Sequence, residues 1–333
     1  VDANLLNNRL GVRFNYFRSA TDHLLMWQEM SYLSGLDKTW GNGGKLENRG
    51  FDVEATGVVW ASPSWQWQVG ASVGHYKNKV TALPDGQRYM DTEILGATVR
   101  TEIGRPANLF YGYKAQGVFS TSAEAQAAGL YIHDDNGVDR TAFEAGDMHF
   151  ADLDGDHFIT EADRMVIGDP NPDIYGNIFT SVQYRRLRLD VRFNYSLGND
   201  IYNYTRQQLE SGSRFMNQTT ALARRWQMEG QQTDIPRLSF QDPMGNSRFS
   251  DRWIEDGSYL RLKTVTLSYD LPVSSTFLQG LQFWVQANNV VTLTRYLGSD
   301  PEGTALSAVL GQGIDAGSLP QSRNFMVGIK INL

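Results

Sequence analysis

Apolar and polar residues alternate with a period of two along much of this chain. In residues 187–197, apolar side chains alternate with polar ones that include Arg188, Asp190 and Arg192. Successive side chains of a strand point to opposite faces, so this period predicts strands with one apolar and one polar face. Between residues 259 and 271 the alternation changes phase near Lys263, which predicts a β-bulge. Other alternating segments are 10–16, 51–55, 65–73, 95–99, 281–287 and 325–333.

The connections between these predicted strands alternate between short and long. Outer-membrane barrels have short periplasmic turns and long extracellular loops. The chain is therefore predicted to be all-β and to contribute roughly ten strands to a transmembrane antiparallel β-barrel with long extracellular loops. The short connections are 61–64, 104–109, 185–186 and 272–280, and the long ones are 18–49, 79–91, 120–175, 198–257 and 294–322.

Aromatic residues near the ends of the predicted strands are typical of the interfacial girdles of such barrels. A water-soluble antiparallel sheet with one buried face would show the same alternation, and its aromatic residues would form a core. A soluble carbohydrate-binding β-protein and a passive outer-membrane porin therefore remain alternatives. The aromatic residues in question are Trp60, Trp65, Trp67, Phe110, Tyr111 and Tyr195.

Composition narrows the possible functions. The formal net charge of -7 leaves no basic surface for a nucleic-acid backbone, so no nucleic-acid partner is expected. The absence of cysteine excludes disulfides and thiolate chemistry. No apolar stretch approaches about 18 residues, and Val1 does not begin a signal peptide, so neither a transmembrane helix nor a leader is expected.

Nothing in the sequence constrains Asp234 and Glu255 to the separation of a glycosidase pair, and we expect no enzyme activity.

Residues 152–163, in the predicted loop 120–175, have the spacing of a calcium-binding loop. Asp152, Asp154, Asp156 and Asp163 occupy its first, third, fifth and twelfth positions, and Phe158 at the seventh offers a backbone carbonyl. The sequence departs from this pattern in two ways, because a histidine stands where glycine is usual and an aspartate replaces the final glutamate. A solvated Asp/Gly turn is the alternative.

Several short motifs follow one another along the chain. They are 48–52, 111–113, 146–147, 163–164, 167–173, 175–176, 198–203, 258–263, 288–289, Tyr296 and 300–302. In this order they resemble the SusC/RagA type of TonB-dependent outer-membrane transporter. The resemblance extends from about residue 7 to residue 333, and the ordered combination is more specific than any single motif. The histidine in the acidic loop and the terminal Leu333, where an aromatic residue is typical, depart from the family pattern.

The resemblance implies a barrel of about 22 strands with an N-terminal plug inside it and a SusD-like lipoprotein closing its outer mouth. Residues 1–333 would be the C-terminal part of this barrel, without the plug. A sheet with two free edges cannot remain unpaired in lipid, so the remainder of the barrel must complete it. The implied partners are that remainder and its plug, the lipoprotein, membrane lipid, and TonB acting through the missing N-terminal segment.

The implied function is import of oligosaccharides or peptides across the bacterial outer membrane, driven by TonB. Selectivity would reside in the extracellular loops. The loop aromatics Tyr202, Tyr204, Trp226 and Trp253 are candidates for stacking on a ligand or for contact with the lipoprotein. Ordinary packing within the loops is the alternative for these four residues.

Overall fold

The computed structural model describes residues 1–36, 38–133, 137, 139–273, 277, 279–304 and 311–332. The two α-helices in this part of the chain have seven residues each, and no helix there has the length and apolar character of a bilayer span. Short 3-10 helices occupy Tyr32–Ser34, Pro84–Gly86, Glu161–Asp163, Thr220–Arg224 and Asp251–Trp253. The other elements are β1 Asp2–Leu5, β2 Leu10–Glu29, β3 Lys38–Ala61, β4 Trp65–Ala82, β5 Tyr89–Ile94, β6 Ala97–Glu102, β7 Leu109–Tyr113, β8 Ala115–Val118, α1 Ser122–Ala128, β9 Tyr131–His133, β10 Arg140–Ala142, β11 Met148–Phe150, β12 Arg164–Gly168, β13 Ile174–Tyr184, β14 Leu187–Leu197, β15 Asp200–Asn203, α2 Tyr204–Glu210, β16 Ile254–Asp256, β17 Tyr259–Leu271, β18 Gly280–Thr294, β19 Ile314–Asp315 and β20 Asn324–Asn332.

In the part of the chain that the structure describes, nine strands form one large sheet in the order β1-β2-β3-β4-β13-β14-β17-β18-β20. Every neighbouring pair in it is antiparallel. The register between β17 and β18 shifts between Leu262 and Thr264, so the bulge predicted at Lys263 is confirmed. Strand β20 confirms the last alternating segment, apart from Leu333, which lies outside the described residues.

The three longest connections, 83–173, 198–258 and 295–323, all lie at one end of this sheet, together with the shorter connection 30–37. The opposite end carries the connections 6–9, 62–64, 185–186 and 272–279, the last of which is as long as 30–37. Neighbouring antiparallel strands reverse direction, so successive connections must fall at alternate ends. The predicted separation is therefore confirmed for the three longest connections, whereas the predicted long connection 18–49 shortens to 30–37 and several other predicted boundaries are wrong.

The predicted loop 18–49 is mostly strand, because β2 and β3 continue as a paired ribbon as far as Glu29 and Lys38. Strands β6 and β7 also differ from the prediction, since they belong to a separate sheet with the order β12-β7-β6-β5. The segment 104–109 is therefore not a turn of the large sheet. Predicted loops 79–91 and 120–175 contribute to a single insertion, 83–173. A period of two identifies an extended strand, but it does not identify the sheet that the strand joins.

The insertion 83–173 packs with the connections 198–258 and 295–323, and we call these three segments the outer lobe. Its remaining sheets are β10-β9, β11-β8 and β16-β15-β19. One buried cluster lies mainly within the insertion and includes Phe143, Met148 and Phe150. A second cluster draws residues from all three connections, which joins them into one packed unit. Its buried members are Ala97, Val99, Phe110, Tyr202, Phe249, Trp253 and Ile314.

Candidate functional site

The apolar face of the large sheet is exposed along its strands. The register aligns Leu189, Leu267, Val285 and Val327 in one row across four neighbouring strands. All four side chains are exposed, and Val327 has 79% of its surface accessible. A continuous apolar surface of this kind is unfavourable in water and is typical of a face that contacts lipid or another protein.

Exposed aromatic residues gather at the end of the sheet that carries the short connections. Trp65 and Tyr184 lie on neighbouring strands with ring centroids 4.6 Å apart. Trp60 is opposite Trp67, whose indole nitrogen donates a hydrogen bond of 2.9 Å to the Thr180 hydroxyl. Such amphipathic rings are typical of the boundary between lipid and water.

Three other aromatics of the predicted girdle lie elsewhere. Phe110 is fully buried and Tyr111 belongs to the same strand of the outer lobe, so the girdle prediction is wrong for both. The period-two pattern around them arises from packing within the small sheet. Tyr195 lies near the far end of β14, where its hydroxyl donates to the Ser72 carbonyl at 2.9 Å.

The opposite face of the large sheet is polar and contains a cavity of about 530 Å³. Arg13 and Glu54 form an ion pair there at 3.3 Å, and the Asp52 carboxylate lies beside them. The Tyr175 ring packs over Gly74, where an added Cβ atom would come within 2.6 Å of it. The absence of a side chain at residue 74 therefore lets the ring occupy that space.

The acidic loop brings three of its predicted ligands together. Asp152, Asp154 and Asp156 can each offer one carboxylate oxygen within 4.8 Å of the others. His157 stands where the calcium-binding pattern has glycine, and it adopts a φ of 67°, the left-handed conformation that glycine usually supplies. The residues present therefore fit a hard cation such as Ca²⁺, which prefers several carboxylate oxygens.

Asp163, at the twelfth position of this loop, does not join the other three carboxylates. Asp163 is fully buried, and its two carboxylate oxygens accept hydrogen bonds from the amides of Leu153 and Thr160, at 2.8 and 2.7 Å. Asp163 is not part of the three-carboxylate group. Its role in the structure is to fold the loop. The Phe158 amide donates to Asp156 at 2.7 Å, while its carbonyl remains the predicted ligand.

Electrostatics within the loop reflect the crowding of like charges. The Asp156 amide donates to Asp154, yet desolvation and repulsion from the neighbouring aspartates raise the pKa of Asp154. Desolvation acts in the same direction on Asp152, but amide hydrogen bonds from Gly155 and His157 lower its pKa. A bound cation would relieve this repulsion.

The acidic loop is attached to a buried cluster of the outer lobe. The Phe158 ring stacks on His133 with a centroid distance of 4.3 Å, and the next residue, Ile159, is buried in that cluster. The Ile159 amide also donates to the Tyr131 carbonyl at 2.9 Å. Any ordering of the acidic loop is therefore transmitted directly to β9.

Two of the four loop aromatics proposed as ligand contacts are fully buried. The Tyr202 hydroxyl donates to Gln207 at 2.6 Å, and the Trp253 indole donates to the Arg248 carbonyl at 3.2 Å. Neither ring offers a free face, so the stacking prediction is wrong for this arrangement of the lobe. Burial in the second cluster is the physical reason.

Tyr204 and Trp226 are half-buried. Trp226 packs over Gly146, where an added side chain would come within 2.4 Å of the indole ring, and its nitrogen donates to the Ser120 carbonyl. Tyr204 meets Tyr202 edge to face at 6.2 Å. Both rings retain some exposed surface, so contact with a ligand remains a prediction for these two residues.

Sequence patterns did not indicate the buried ionic networks of the lobe. Asp147 is fully buried and accepts two hydrogen bonds from Arg237, at 2.8 and 2.9 Å. Arg261, at the outer end of β17, is 3% exposed and pairs with Asp300 and Glu302. The motifs 146–147, 258–263 and 300–302 contain Asp147, Arg261, Asp300 and Glu302, but the sequence did not indicate which of these residues pair, and no motif contains Arg237.

A carboxylate cluster lies where the lobe meets the sheet. Burial raises the pKa of Asp200, and the carboxylates of Asp169 and Asp256 add repulsion, although the Asp169 amide donates a hydrogen bond of 2.8 Å to Asp200. Nearby, the His75 ring contacts the Asp173 carbonyl at 2.5 Å and links β4 to the lobe. The attachment of the lobe to the sheet is therefore sensitive to protonation.

No family model matches the chain. Among curated proteins it is 30% identical to TonB-dependent receptor P3 of Formosa agariphila over 99% of this chain, and 26% identical to TonB-dependent receptor P26 of the same organism over the same share. The chain spans about a third of the length of these relatives, since it covers 33% of each.

Solved structures show the same fold. The structure of the RagAB peptide transporter matches 99% of this chain with a TM-score of 0.77 and 24% identity, and 34% of that chain is covered. The RagAB peptide importer in its "open-open" state gives a TM-score of 0.76 at the same identity. These relatives are receptors and transporters rather than enzymes, in agreement with the prediction of no catalytic activity. The matches confirm the resemblance that the motifs indicated, and the chain is related along nearly its whole length to TonB-dependent receptors.

Proposed function

We propose that this chain forms the C-terminal part of the barrel of a TonB-dependent importer in the bacterial outer membrane. The observation that carries the proposal is the exposed apolar face of the large sheet, opposite a polar face that contains the 530 Å³ cavity. In a barrel the apolar face contacts acyl chains and the polar face lines a water-filled lumen. The long connections then extend outward as the outer lobe.

The proposed assembly requires further protein. Among the described residues, strand β20 pairs with β18 on one side only, and its exposed Phe325, Val327 and Ile329 would lie on the lipid-facing side. Unpaired backbone groups in hydrocarbon cost several kcal/mol each, so the remainder of the barrel must supply a neighbouring strand. A plug within the lumen, a SusD-like lipoprotein over the outer lobe and TonB complete the proposed importer.

Oligosaccharides and peptides are the proposed cargo classes. The polar wall and the exposed parts of Tyr204 and Trp226 would contact cargo along this path. The similar solved structures are of a peptide transporter. Uptake of labelled peptides and labelled oligosaccharides by cells that express the complete receptor would distinguish the two classes.

Membrane fractionation tests the central proposal. The complete receptor should require detergent for extraction, should migrate differently on gels before and after heating, and should copurify with a large lipoprotein. Recovery of the protein as a compact monomer in plain buffer would contradict the proposal and favour a soluble binding protein. Uptake that persists in cells without TonB would instead indicate a passive porin.

We also propose that Asp152, Asp154 and Asp156, with the Phe158 carbonyl, hold Ca²⁺ in the outer lobe. Convergence of the three carboxylates supports this proposal. The ion would have a structural role, because the loop connects through Phe158 to His133 and through Ile159 to a buried cluster. Calcium should therefore slow proteolysis of the outer lobe, and an unchanged digestion rate would contradict the proposal.

A further inference from the structure

Arg252 occupies an unusual electrostatic position in the outer lobe. It lies in the 3-10 helix Asp251–Trp253, and its guanidinium stacks on the Trp253 ring at 4.4 Å from the ring centroid. Its Nη2 atom is buried and has no hydrogen-bond partner. Buried polar atoms without a partner are rare in folded proteins, and such an atom can mark the place where an ion or a ligand binds.

Three other arginines of the connection 198–258 have direct partners for their guanidinium groups, in contrast to Arg252. Arg206 pairs with two glutamates, and Arg237 pairs with Asp147. Arg248 donates to the carbonyls of Gly245 and Met244, at 2.9 and 2.8 Å. Within the described ranges, no carboxylate lies in ion-pair contact with Arg252. A buried cation that has no partner in direct contact is unfavourable, so an anion in contact with the guanidinium would be stabilised.

We propose that Arg252 binds an oxyanion, a carboxylate or a sulfate, that belongs to a ligand of the outer lobe. The guanidinium offers a planar set of donors that matches two oxygens of either group. Ser250, two residues earlier, is fully buried, and its hydroxyl also has no partner. Assigning the oxyanion to imported cargo rests on the proposed function, whereas binding of the anion itself does not.

Charged neighbours act on Arg252 in both directions. Burial, and then repulsion from the Arg206 cation, lower the pKa of Arg252 to about 10, so the side chain is still protonated at neutral pH. The charges of Glu210, Asp234 and Asp242 act in the opposite direction, and Asp234 is the exposed one of the three. A rotation that brings Asp234 onto Arg252 is the competing explanation, in which an internal ion pair takes the place of a ligand.

The test is calorimetric titration of the complete, detergent-solubilised receptor with sodium acetate and, separately, with sodium sulfate, at an ionic strength kept constant with sodium chloride. We expect saturable binding of at least one anion, and the stronger of the two identifies the group that the ligand carries. Arg252→Gln should weaken binding roughly tenfold to a hundredfold, because a charge-assisted bidentate contact is lost. The anion affinity of Arg252→Lys should lie between those of the unmodified receptor and Arg252→Gln, since lysine keeps the charge but lacks the planar guanidinium.

Arg214 provides the matched control, since it is an exposed arginine of the same connection, and Arg214→Gln should bind the anions as the unmodified receptor does. Asp234→Asn should strengthen binding if its carboxylate competes for Arg252. Equal affinity in the Arg252→Gln and unmodified receptors would overturn the proposal. The proposal would also be overturned if no anion bound and if Arg252→Gln and Asp234→Asn lowered the thermal stability equally. That result would indicate an ion pair between Arg252 and Asp234. Neither result would affect the membrane proposal, which fractionation tests separately.

Discussion

Replacing Arg237 with alanine should destabilise the outer lobe far more than loss of a surface ion pair would. The fully buried Asp147 accepts two hydrogen bonds from Arg237, one from the Asn246 amide at 2.9 Å and one from the Glu144 backbone amide at 2.9 Å. The substitution removes half of these donors and the only arginine paired with this carboxylate in the described residues. Breaking one partner of a buried pair costs about 3–5 kcal/mol, and the 30% exposure of the Arg237 side chain favours the lower end.

Hydrogen exchange measures this loss without requiring the whole barrel to unfold. The backbone amide of residue 237 donates to the Gly146 carbonyl at 2.7 Å and reports on the same contact. A loss of about 3 kcal/mol corresponds to exchange roughly a hundredfold faster in this region. Glu144→Gln is the control, because Glu144 pairs with Arg237 at the surface, where it is 69% exposed, and its loss should cost at most about 1 kcal/mol.

A double variant tests whether the unpaired carboxylate causes the loss. Asp147→Asn removes the buried charge, so Arg237→Ala combined with Asp147→Asn should exchange more slowly than Arg237→Ala alone, by at least about 1 kcal/mol of protection. Equal or faster exchange in the double variant would refute the electrostatic reasoning. It would attribute the stability of this region to packing of the arginine side chain instead.

Val285→Arg, on the apolar face of β18, should lower the stability of the assembled barrel in lipid vesicles by up to about 2–4 kcal/mol. Gln286→Arg, on the polar face of the same strand, should be tolerated, and equal effects of the two substitutions would contradict the assignment of faces. Asp152→Asn should weaken calcium binding about tenfold in a calorimetric titration because a charged ligand is lost, while Glu161→Gln should not, since Glu161 lies outside the three-carboxylate group. The raised pKa of Asp200 stabilises the fold below its unfolded-state pKa, and this contribution is lost as pH rises through the folded-state value. Asp200→Asn should therefore reduce the fall in thermal stability as the pH rises from about 4, the ordinary aspartate pKa, towards neutrality, and an unchanged pH dependence would count against the carboxylate cluster.

The strands of the large sheet were largely predictable because each of them obeys one local rule. Strand β14 appeared as an uninterrupted alternation, and the phase change at Lys263 identified the bulge in β17. The assignment of β6 was not predictable, since its alternating residues pack inside the lobe rather than on the exposed apolar face of the large sheet. Both environments require a strand with two unlike faces, and only tertiary pairing distinguishes them.

The candidate site was predictable where neighbouring residues build it. Loop spacing correctly brought Asp152, Asp154 and Asp156 together, because a tight turn fixes their geometry within a few residues. Contacts across long sequence separations were not predictable, as for Asp147 and Arg237, which are 90 positions apart. The burial of Trp253 depends in the same way on elements from other connections.

The second cluster of the outer lobe limits how its surface can diversify. Val99, Tyr202 and Ile314 come from three different connections and share one core. A substitution that reshapes this core displaces segments that are distant in sequence, so the three connections must change together or keep their buried residues fixed. Exposed positions such as Phe215, at 94% exposure, are free of that coupling. New ligand or partner preferences would therefore arise at such positions while the framework beneath them stays constant.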